Sequence, residues 1–409
     1  MKVLHVIPSV GRLRGGPSFA MRRIAAALAA GGLSVEVATT NDNGPERLHV
    51  PLGTPVEEGG VVWRYFPLDA YFYNTSFALA RWLMSSVADY DVVHIHAVFS
   101  FCSTAAAFAC RRRRVPYVVR PLGVLNRWGM QNRRPWLKSL SFRWIDRRIL
   151  EGAALVQYTS EQERDEAALL GVNCPSTIIP NPVDASPGGA VRGAFRARYP
   201  ELAENKIILF LSRIDPKKGL DLLLPAFVEV RRRHREAVLL IGGSGPADYL
   251  MEMQRTAAEL GIATGVRWLG FLGGEEKDQV LADADVFVLP SYSENFGISV
   301  VEAMAAGLPV VITDQVGVHG EIAAAAAGIV TTCEVNSIAG ALGRLLSSDE
   351  ERTRTGANAK QLAGRCYSSS AVAGGLREVY SRLAWERKCA VPSAPRTAPH
   401  PTSEPRSKL

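Results

Sequence analysis

The sequence predicts an α/β fold of two doubly wound domains, each built on a parallel sheet with crossover helices. Short apolar runs alternate with helical patterns along most of the 409 residues, as in repeated strand-helix-strand units. The length also suits two domains. A turn-rich stretch, ASPGGAVRG, follows Asp184 and interrupts the alternation near the middle of the chain. Because a second alternating series begins after it, we expect two halves of similar size.

The first half begins with a strand, a glycine-rich turn and a helix. Pro17 lies at the start of this helix and Gly31 just past its end, an asymmetry that is typical of helix termini. Further along, Ser160 and Glu163 form a capping box that begins another helix. Strands are predicted at residues 2–8, 34–39, 91–96, 115–120, 154–159 and 177–180.

The second half repeats the alternation, with strands predicted at residues 206–211, 237–241, 266–269, 285–289 and 309–313. The end of the chain is rich in Pro, Ser, Thr and Arg, so it is expected to be a disordered tail. We therefore divide the chain into a first domain, a second domain, a final helix and this tail, at residues 1–184, 185–370, 371–389 and 390–409.

Composition excludes several classes of protein. The hydrophobic fraction of 47% is too high for a disordered chain. No uncharged apolar run reaches about 18 residues, so no membrane-spanning helix is expected. The six cysteines form no CxxC pair and no regular spacing, which argues against a disulfide framework or a zinc site and indicates a reducing compartment.

Basic charge is concentrated in the first half, where residues 1–180 carry 21 basic and 14 acidic side chains. Residues 111–148 contain twelve basic side chains and one acidic one, Asp146, with aromatic residues between them. A solvated surface would explain this composition, and so would nucleic-acid binding, although no zinc-finger spacing or RNA-binding signature is present. Arginine interleaved with aromatic rings favours an anionic membrane surface as the partner, and nucleic acid is not expected.

The stretch PSYSENFGISVVEAMAAGLPVVIT places Glu294 and Glu302 eight residues apart. On one helix they would be separated by about 12 Å of rise, too far to share one target group. If a helix instead begins near Gly297, the two carboxylates flank a helix start, whose free N–H groups bind phosphate. A nucleotide-sugar, with ribose and hexose on either side of a diphosphate, fits this arrangement beyond a parallel strand.

A pair of cations, Arg213 and Lys218, follows another predicted strand. Both should point into the same crevice, where two fixed charges and a helix start could bind a leaving diphosphate without a metal. The alternative is that they pair at the surface with Asp215 or Asp221.

Two other features are weaker on their own. Gly15 and Gly16 form a strand-to-helix turn at which backbone can approach a ligand closely, although any tight turn could use them. His94 and His96 alternate onto one face of a strand. They could be half of a metal site, but no third ligand is evident, and buried core histidines are the alternative.

Two stretches look like known motifs but have simpler explanations. Asp283 and Asp285 spell the DxD of metal-dependent sugar transferases, yet they precede an apolar strand and are expected to end a helix and begin that strand. The run from Gly242 to Pro246 follows a strand but lacks both a full GxGxxG and a GK[ST], so it is not a redox-dinucleotide or P-loop motif.

Together these residues resemble the retaining nucleotide-sugar glycosyltransferases of family 4, which have the GT-B fold of two Rossmann-like domains facing a cleft. The resemblance extends from the Gly15 turn to the last helix. Its most specific element is the E-x7-E spacing of Glu294 and Glu302, followed by AMAAGLPVV. One departure is Asn181-Pro182, where many members have Asn-Gly. The resemblance implies that the C-terminal helix crosses back to the first domain.

The resemblance also implies roles for single residues. His96 would lie near the reacting sugar, with Arg213 and Lys218 on the diphosphate. Glu294 would contact hexose hydroxyls and Glu302 the ribose. The catalytic residues implied are therefore His96, Glu294, Arg213 and Lys218. The donor-binding residues implied are Gly15, Gly16, Gly243, Gly245, Phe271, Asn295, Phe296, Gly297, Ile298 and Glu302.

The activity implied is transfer of a sugar from UDP or GDP, with retention at the anomeric carbon and with neither metal nor cofactor. Residues 120–138 look like the basic loop of members that build bacterial surface polysaccharides on lipid carriers. This implies a lipid-linked or saccharide acceptor and a cytoplasmic enzyme on the inner face of the membrane. The acceptor or membrane face would comprise Arg120, Arg127, Trp128, Arg133, Arg134 and Trp136.

Two other functions stay open on the same fold. A phosphorylase or a sugar-nucleotide epimerase would use a similar cleft, and phosphate-dependent turnover or acceptor-free nucleotide release would distinguish them. A sugar- or lipid-binding subunit without activity is the non-enzymatic alternative, because fold alone does not fix function.

Overall fold

The computed structural model describes residues 1–126, 130, 135–184 and 191–390, and these residues form two main α/β sheets. The strands of the first half are β1 (Lys2–Ser9), β2 (Ser34–Thr40), β3 (Asp42–Asn43), β4 (Glu46–Arg47), β5 (Pro55–Glu58), β6 (Val61–Phe66), β7 (Val92–His96), β8 (Tyr117–Arg120), β9 (Leu155–Tyr158) and β10 (Ser176–Ile178). Those of the second half are β11 (Lys206–Leu211), β12 (Ala237–Gly242), β13 (Val266–Gly270), β14 (Val286–Leu289), β15 (Val310–Thr313) and β16 (Gly328–Thr331).

Both sheets have the order of a doubly wound fold. The first has eight strands in the order β10-β9-β8-β7-β1-β2-β6-β5, and the second has six in the order β13-β12-β11-β14-β15-β16. Every neighbouring pair is parallel except β5 with β6, while β3 and β4 form a small antiparallel pair apart from the sheets. The two-domain α/β fold predicted from the sequence is confirmed.

The eleven predicted strands are all present, with ends that differ by no more than two residues. Five strands were not predicted: the two-residue strands β3 and β4, and β5, β6 and β16 of the main sheets. Strand β6 follows β2 without a helix between them, so the strand-helix alternation did not point to it. Strand β5 begins with a proline and carries two exposed glutamates, so it has no clear strand signature. Strand β16 has β-branched residues that favour a strand, but it has only four residues and begins with a glycine.

Helices cover both faces of the sheets. In the first half, the described residues form α1 (Gly16–Ala30), α2 (Phe77–Ser86), α3 (Phe101–Arg113), α4 (Pro135–Ser141), α5 (Arg147–Glu151) and α6 (Glu161–Leu169). The helices after it are α7 (Ala194–Arg198), α8 (Leu220–Arg233), α9 (Ala247–Glu259), α10 (Gly274–Asp283), α11 (Ile298–Ala305), α12 (His319–Ala324), α13 (Val335–Ser347), α14 (Asp349–Leu362) and α15 (Ser369–Ala390). None of the described helices has the length and apolar character that a bilayer crossing requires.

The last helix, α15, packs against the first domain. Leu376 and Tyr380 are fully buried in the same apolar cluster as Met21 of α1 and Val3 of β1. Burial of each large side chain stabilises this contact by about 1.5–3 kcal/mol. The C-terminal helix therefore returns from the second half of the chain to the first, as the resemblance implied.

Candidate active site

The strand-to-helix turns of the two domains meet across a cleft. Gly15 has a φ of 76° and is the N-cap of α1, while Gly297 has a φ of 85° and is the N-cap of α11. A Cβ on Gly16 would lie 2.9 Å from Cδ1 of Ile298, the first residue of α11. The missing side chain therefore allows the first turn of α1 to approach the start of α11, where backbone N–H groups are free to bind an anion.

Lys218 and Glu294 form an ion pair in the second domain. Lys218 lies in the short helical turn that follows β11, and Glu294 lies in the loop between β14 and α11. Burial alone would raise the pKa of the Glu294 carboxyl, but the charge and hydrogen bond of Lys218 hold that pKa below its usual value. The Glu294 carboxyl is therefore charged at neutral pH.

The Glu294 loop is fixed by backbone hydrogen bonds to the segment after β15. The Glu294 N–H donates to the Gln315 carbonyl at 3.0 Å, and the Glu294 carbonyl accepts from the Gly317 N–H at 2.8 Å. A Cβ on Gly317 would lie 2.0 Å from the carbonyl oxygen of Asn295, so a larger residue would displace the loop. The carboxylate is thus presented to the cleft from a rigid support.

Surface pairing does not explain Lys218. Asp215 accepts a hydrogen bond from the Lys217 N–H at 3.1 Å and caps the turn, while Asp221 accepts one from the Tyr292 hydroxyl at 2.8 Å. Arg213 is exposed, and it makes no hydrogen bond or ion pair with the part of the chain that the structure describes. Its guanidinium is thus available to a ligand.

Glu302 lies on α11 and forms an ion pair with Lys277 of α10, at 2.7 Å between Nζ and Oε1. Sequence reasoning missed Lys277, because it lies 25 residues before Glu302 and no local pattern links them. A ligand hydroxyl at Glu302 would have to share the carboxylate with this ammonium group.

The glycines after β12 have a packing reason of their own. A Cβ on Gly243 would lie 1.8 Å from the Ser212 carbonyl oxygen, and one on Gly245 would lie 1.9 Å from that of Ile214. The Ile214 N–H donates to the Ser244 carbonyl at 2.9 Å. The two glycines therefore let the loops after β11 and β12 lie side by side at the edge of the cleft.

Two aromatic residues differ sharply in exposure. Phe271 follows β13 and is 78% exposed, so its ring is free to stack on a flat ligand. Phe296 is 3% exposed and packs edge-to-face on Tyr367, with ring centroids 5.7 Å apart. A ligand could therefore meet only the backbone of Phe296.

Asn295 connects the second domain to the first. Its Nδ2 donates to Oγ1 of Thr159 at 3.0 Å, and its carbonyl accepts from the Ser160 hydroxyl at 3.3 Å. A Cβ on Gly123, which has a φ of 72°, would lie 2.4 Å from the side-chain carbon of Asn295. The loops after β8 and β9 therefore close directly on the loop that carries Glu294.

Glu163 fixes these two loops relative to each other. One carboxylate oxygen accepts from the Gly123 N–H at 2.7 Å, and the other accepts from the N–H and hydroxyl of Thr159 at 2.7 and 2.6 Å. The Glu163 N–H in turn donates to the Ser160 hydroxyl at 3.2 Å, which is half of the predicted capping box. In a capping box the Glu163 carboxylate would accept from the Ser160 N–H, but here it connects the ends of β8 and β9 instead.

Three histidines cluster inside the first domain. His5 of β1 lies opposite His94 in the parallel register, and its Nδ1 is 2.9 Å from Nε2 of His96. His94 Nδ1 is 2.6 Å from the Tyr380 hydroxyl of α15. Burial, with the charge of Arg120, lowers the pKa of His5 to about 3 and holds those of His94 and His96 well below their usual value. All three rings are therefore neutral at pH 7.

His5 is the third histidine that the sequence did not reveal, because only the pairing of β1 with β7 brings it to His94. Nitrogens of the three rings lie within 4.8 Å of one another, close enough to be weighed as metal ligands. However, Arg120 lies beside His96 in register and would repel a cation. All three rings are fully buried.

Two family models match the chain over both domains. The model described as "Glycosyl transferase 4-like domain" matches residues 15–182, and the model "Glycosyl transferases group 1" matches residues 191–362. The chain belongs to the family 4 glycosyltransferases.

Curated relatives of this glycosyltransferase match over part of their length. D-inositol 3-phosphate glycosyltransferase of Nocardia farcinica is 35% identical over 251 residues, which are 58% of this chain and 54% of that protein. The GDP-mannose-dependent alpha-(1-6)-phosphatidylinositol monomannoside mannosyltransferase of Mycolicibacterium smegmatis is 33% identical over 222 residues, 51% of this chain and 57% of that protein. The chain thus spans little more than half the length of these relatives.

A solved structure, Anabaena HepE in complex with UDP, superposes with a TM-score of 0.73 at 20% sequence identity. The superposition covers 93% of this chain and all of that one. The likeness extends over both domains, so the GT-B fold implied by the sequence resemblance is confirmed for this glycosyltransferase.

Arg120 lies inside this glycosyltransferase, which contradicts the membrane-face part of its predicted role and leaves the acceptor part a prediction. It is 1% exposed, and its Nη2 donates to Oδ1 of Asn181, so it cannot be part of an exposed membrane face. The reason is that β8 is covered on both faces: Tyr117, Val118 and Val119 are all buried, and Arg120 ends the same strand. Trp136 is 70% exposed on α4. The other predicted members of that face lie outside the described residues: Arg127, Trp128, Arg133 and Arg134.

The DxD pair of this glycosyltransferase is structural. Asp283 is fully buried and accepts hydrogen bonds from the N–H groups of Gly193 and Arg196. Asp285 accepts from the Ile207 N–H at 2.7 Å. Helix α10 ends at Asp283 and β14 begins at Val286, as the sequence predicted.

Proposed function

We propose that this chain is a retaining hexosyltransferase that uses a UDP- or GDP-sugar and acts on a lipid-linked or saccharide acceptor. The observation that carries the proposal is the ion pair of buried Lys218 with partly buried Glu294 beside the start of α11, in a cleft that the Gly15-Gly16 turn closes from the other side. The ammonium group suits one phosphate, and the free backbone N–H groups suit a second phosphate. The carboxylate suits the hydroxyl groups of a sugar.

Arg213 and Lys218 are proposed to bind the diphosphate. Each cation at about 4 Å from a phosphate charge contributes roughly 4 kcal/mol at an effective dielectric near 20. Charge that develops on the leaving diphosphate is thereby stabilised by side chains of the chain itself. Exposed Arg213 is free to reach the ligand, whereas Lys218 is held in place by Glu294 before the ligand arrives.

Retention is proposed to follow from attack on the face that the diphosphate leaves. The bond between the anomeric carbon and the phosphate oxygen breaks while the acceptor oxygen bonds to the same face of that carbon. The acceptor proton passes to an oxygen of the departing phosphate. Glu294 accepts hydrogen bonds from hexose hydroxyls and so orients the sugar, and Glu302 accepts them from the ribose.

The remaining donor contacts are proposed for backbone and ring surfaces. Phe271 offers an exposed face for the base, next to the loop that Gly243 and Gly245 shape. A ring face reads no hydrogen-bond pattern of the base, so stacking on Phe271 would accept uridine and guanosine alike. The Mycolicibacterium relative uses GDP-mannose by its name, and the HepE structure contains UDP.

An anionic membrane surface is proposed as a partner, at a face that we define by exposed Trp136, Leu140 and Trp144 with Arg143 and Arg148. The two guanidinium groups lie 5.8 and 5.9 Å from the Trp144 ring centroid. Aromatic rings and arginines of this kind bind at the headgroup layer of anionic lipid. A phosphatidylinositol-based acceptor in the name of one relative supports a lipid-linked acceptor here.

Purified protein incubated with UDP-, GDP- and ADP-sugars, with and without EDTA, tests the proposal through release of nucleotide. Turnover of one donor that resists EDTA and is lost in Lys218→Met supports it. Release that requires inorganic phosphate would identify a phosphorylase instead. If no donor is bound or turned over, the transferase proposal fails.

A further inference from the structure

Arg120 is a buried cation without an acidic partner. Its Nη2 donates to the neutral amide oxygen of Asn181, and its Nε has no hydrogen-bond acceptor in the part of the chain that the structure describes. Burial lowers the pKa of Arg120 to about 10, an effect that the more distant charge of Glu163 partly opposes, so the group stays protonated at pH 7. An unpaired guanidinium is costly to bury and is best compensated by an anion.

The neighbour of Arg120 is also incompletely hydrogen-bonded. His96 and Arg120 are partners in the parallel register of β7 and β8, and both end their strands on the same face of the sheet. Nδ1 of His96 is buried without a partner among the described residues. Two nitrogen-bearing side chains with unused hydrogen-bonding capacity therefore lie side by side at the carboxyl edge of the first sheet.

The loops that follow these two strands are strained. Seven non-glycine residues have a positive φ in the described ranges, and three of them come directly after β7 and β8: Ala97 at 83°, Phe99 at 56° and Leu122 at 62°. Such backbone is retained where the surrounding structure holds a functional group in place. The next residue, Gly123, contacts Asn295 of the second domain, so this edge faces the cleft.

We propose that Arg120, with His96 beside it, forms an oxyanion-binding site on the first domain, for a phosphate or carboxylate group that enters at the ends of β7 and β8. This inference rests on the proposed function, because the anion would belong either to the donor diphosphate or to an acidic group on the acceptor. The anion places a negative charge beside the guanidinium, and it accepts hydrogen bonds from the Arg120 Nε and from a neutral His96 that carries its proton on Nδ1.

Asn181→Asp is the sharpest test, because it changes a single atom group and places a carboxylate on the Arg120 guanidinium. If the site binds anions, the new carboxylate competes with them. Asn181→Asp should then raise the melting temperature of the ligand-free protein and weaken anion binding at least tenfold. The matched control is Asn336→Asp, which adds the same charge at an exposed position of α13 in the second domain.

Isothermal titration calorimetry separates the two sources of the anion, the donor diphosphate and the acceptor. The protein is titrated with UDP and with GDP, and then, once saturated with nucleotide, with inorganic phosphate. Weaker nucleotide binding by Asn181→Asp assigns the site to the donor diphosphate. Unchanged nucleotide binding with lost phosphate binding assigns it to the acceptor. The proposal is overturned if Asn181→Asp binds both probes like the wild type, even when it stabilises the protein. It is also overturned if Asn181→Asp leaves nucleotide binding unchanged and phosphate does not bind to nucleotide-saturated wild type.

Arg120→Lys and Arg120→Gln give an independent check. Lysine keeps the charge and should retain part of the anion affinity, whereas glutamine should lose it. Wild-type protein that binds neither UDP nor GDP would contradict the proposed function. Phosphate binding alone, sensitive to Asn181→Asp, would still support the oxyanion site in that case.

Discussion

The Nδ2 atom of Asn295 lies 3.0 Å from Oγ1 of Thr159, and this hydrogen bond joins the two domains one residue away from Glu294. The loop that carries the proposed sugar-binding carboxylate therefore also carries the contact that closes the cleft. Closure and sugar binding are expected to be linked, because displacement of either residue shifts the other.

Thr159→Val is expected to lower kcat/KM for the donor about fivefold to thirtyfold, since it removes the hydrogen bond from Asn295 and the one to Glu163, each of which contributes about 1 kcal/mol. The side-chain shape is retained, so the packing between the loops should change little. Nucleotide-release kinetics measure the effect. Thr256→Val removes an intrahelical hydrogen bond of the same kind from α9 and should leave kcat/KM as it was.

Gly123→Ala is expected to reduce activity more strongly than its effect on stability would suggest. A positive φ costs an alanine about 1–2 kcal/mol, and the new methyl group would also overlap the Asn295 side chain. Gly59→Ala is the matched control, because Gly59 has a φ of 62° with nothing within 4 Å of the added Cβ. Equal loss of activity in the two variants would contradict a role for the Gly123–Asn295 contact in closure.

Glu294→Gln is expected to destabilise the protein by about 3 kcal/mol at pH 7, because it leaves the Lys218 ammonium buried without a counter-ion. Glu294→Gln and wild type should differ by a constant unfolding free energy above about pH 5. The difference should shrink as the pH falls through the depressed pKa of Glu294, below its ordinary value of 4.5. Urea titrations at several pH values measure it.

Glu229→Gln serves as the reference for that experiment. Glu229 pairs with Arg232 on an exposed helix face, and such pairs contribute no more than about 1 kcal/mol. A loss of stability in Glu294→Gln that is no larger than in Glu229→Gln would show that the Lys218 pair does not stabilise the fold.

The three buried histidines predict loss of stability in mild acid. Their pKa values are lowered in the folded protein, so below about pH 6.5 the unfolded chain takes up protons that the folded chain does not. Each ring then lowers the unfolding free energy by about 1.4 kcal/mol per pH unit. His5→Asn should reduce this slope by one ring's share, measured between pH 6 and pH 4, whereas exposed His49→Asn is its control.

Trp136→Ser is expected to weaken binding to anionic vesicles about tenfold, because a large ring that enters the headgroup layer contributes about 1.5 kcal/mol or more. Co-sedimentation with vesicles of anionic and of zwitterionic lipid measures the change. Trp385→Ser is the control, since Trp385 on α15 is 66% exposed and lies outside the proposed face. Equal binding by Trp136→Ser and wild type would remove Trp136 from that face.

Most of the fold could be predicted because buried parallel strands are short apolar runs that need no partner to be recognised. Pairs such as Glu294 with Lys218 lie at strand ends, and the carboxyl ends of parallel strands meet at one edge. Lys277 and His5 could not be found in this way. Each reaches its site only through the packing of elements far apart in sequence.

The error at Arg120 has a physical cause that a finer interpretation of the sequence could have detected. Charge along residues 111–148 suggested a surface, but the apolar residues 117–119 indicate a strand that is buried on both faces. A residue at the end of such a strand is covered on whichever face it lies. The apolar run before Arg120 was a better guide to its exposure than the charge around it.

The return of α15 to the first domain has a consequence for how the molecule is made. Leu376 and Tyr380 complete the core around Met21, yet they are synthesised after the whole second domain. During synthesis, the apolar surface of the first domain that α15 covers is therefore expected to stay exposed until α15 has been made. The second domain is continuous in sequence and can form its own core earlier. The first domain is therefore expected to be the last to finish folding, and a chaperone would bind its exposed apolar surface before α15 is made.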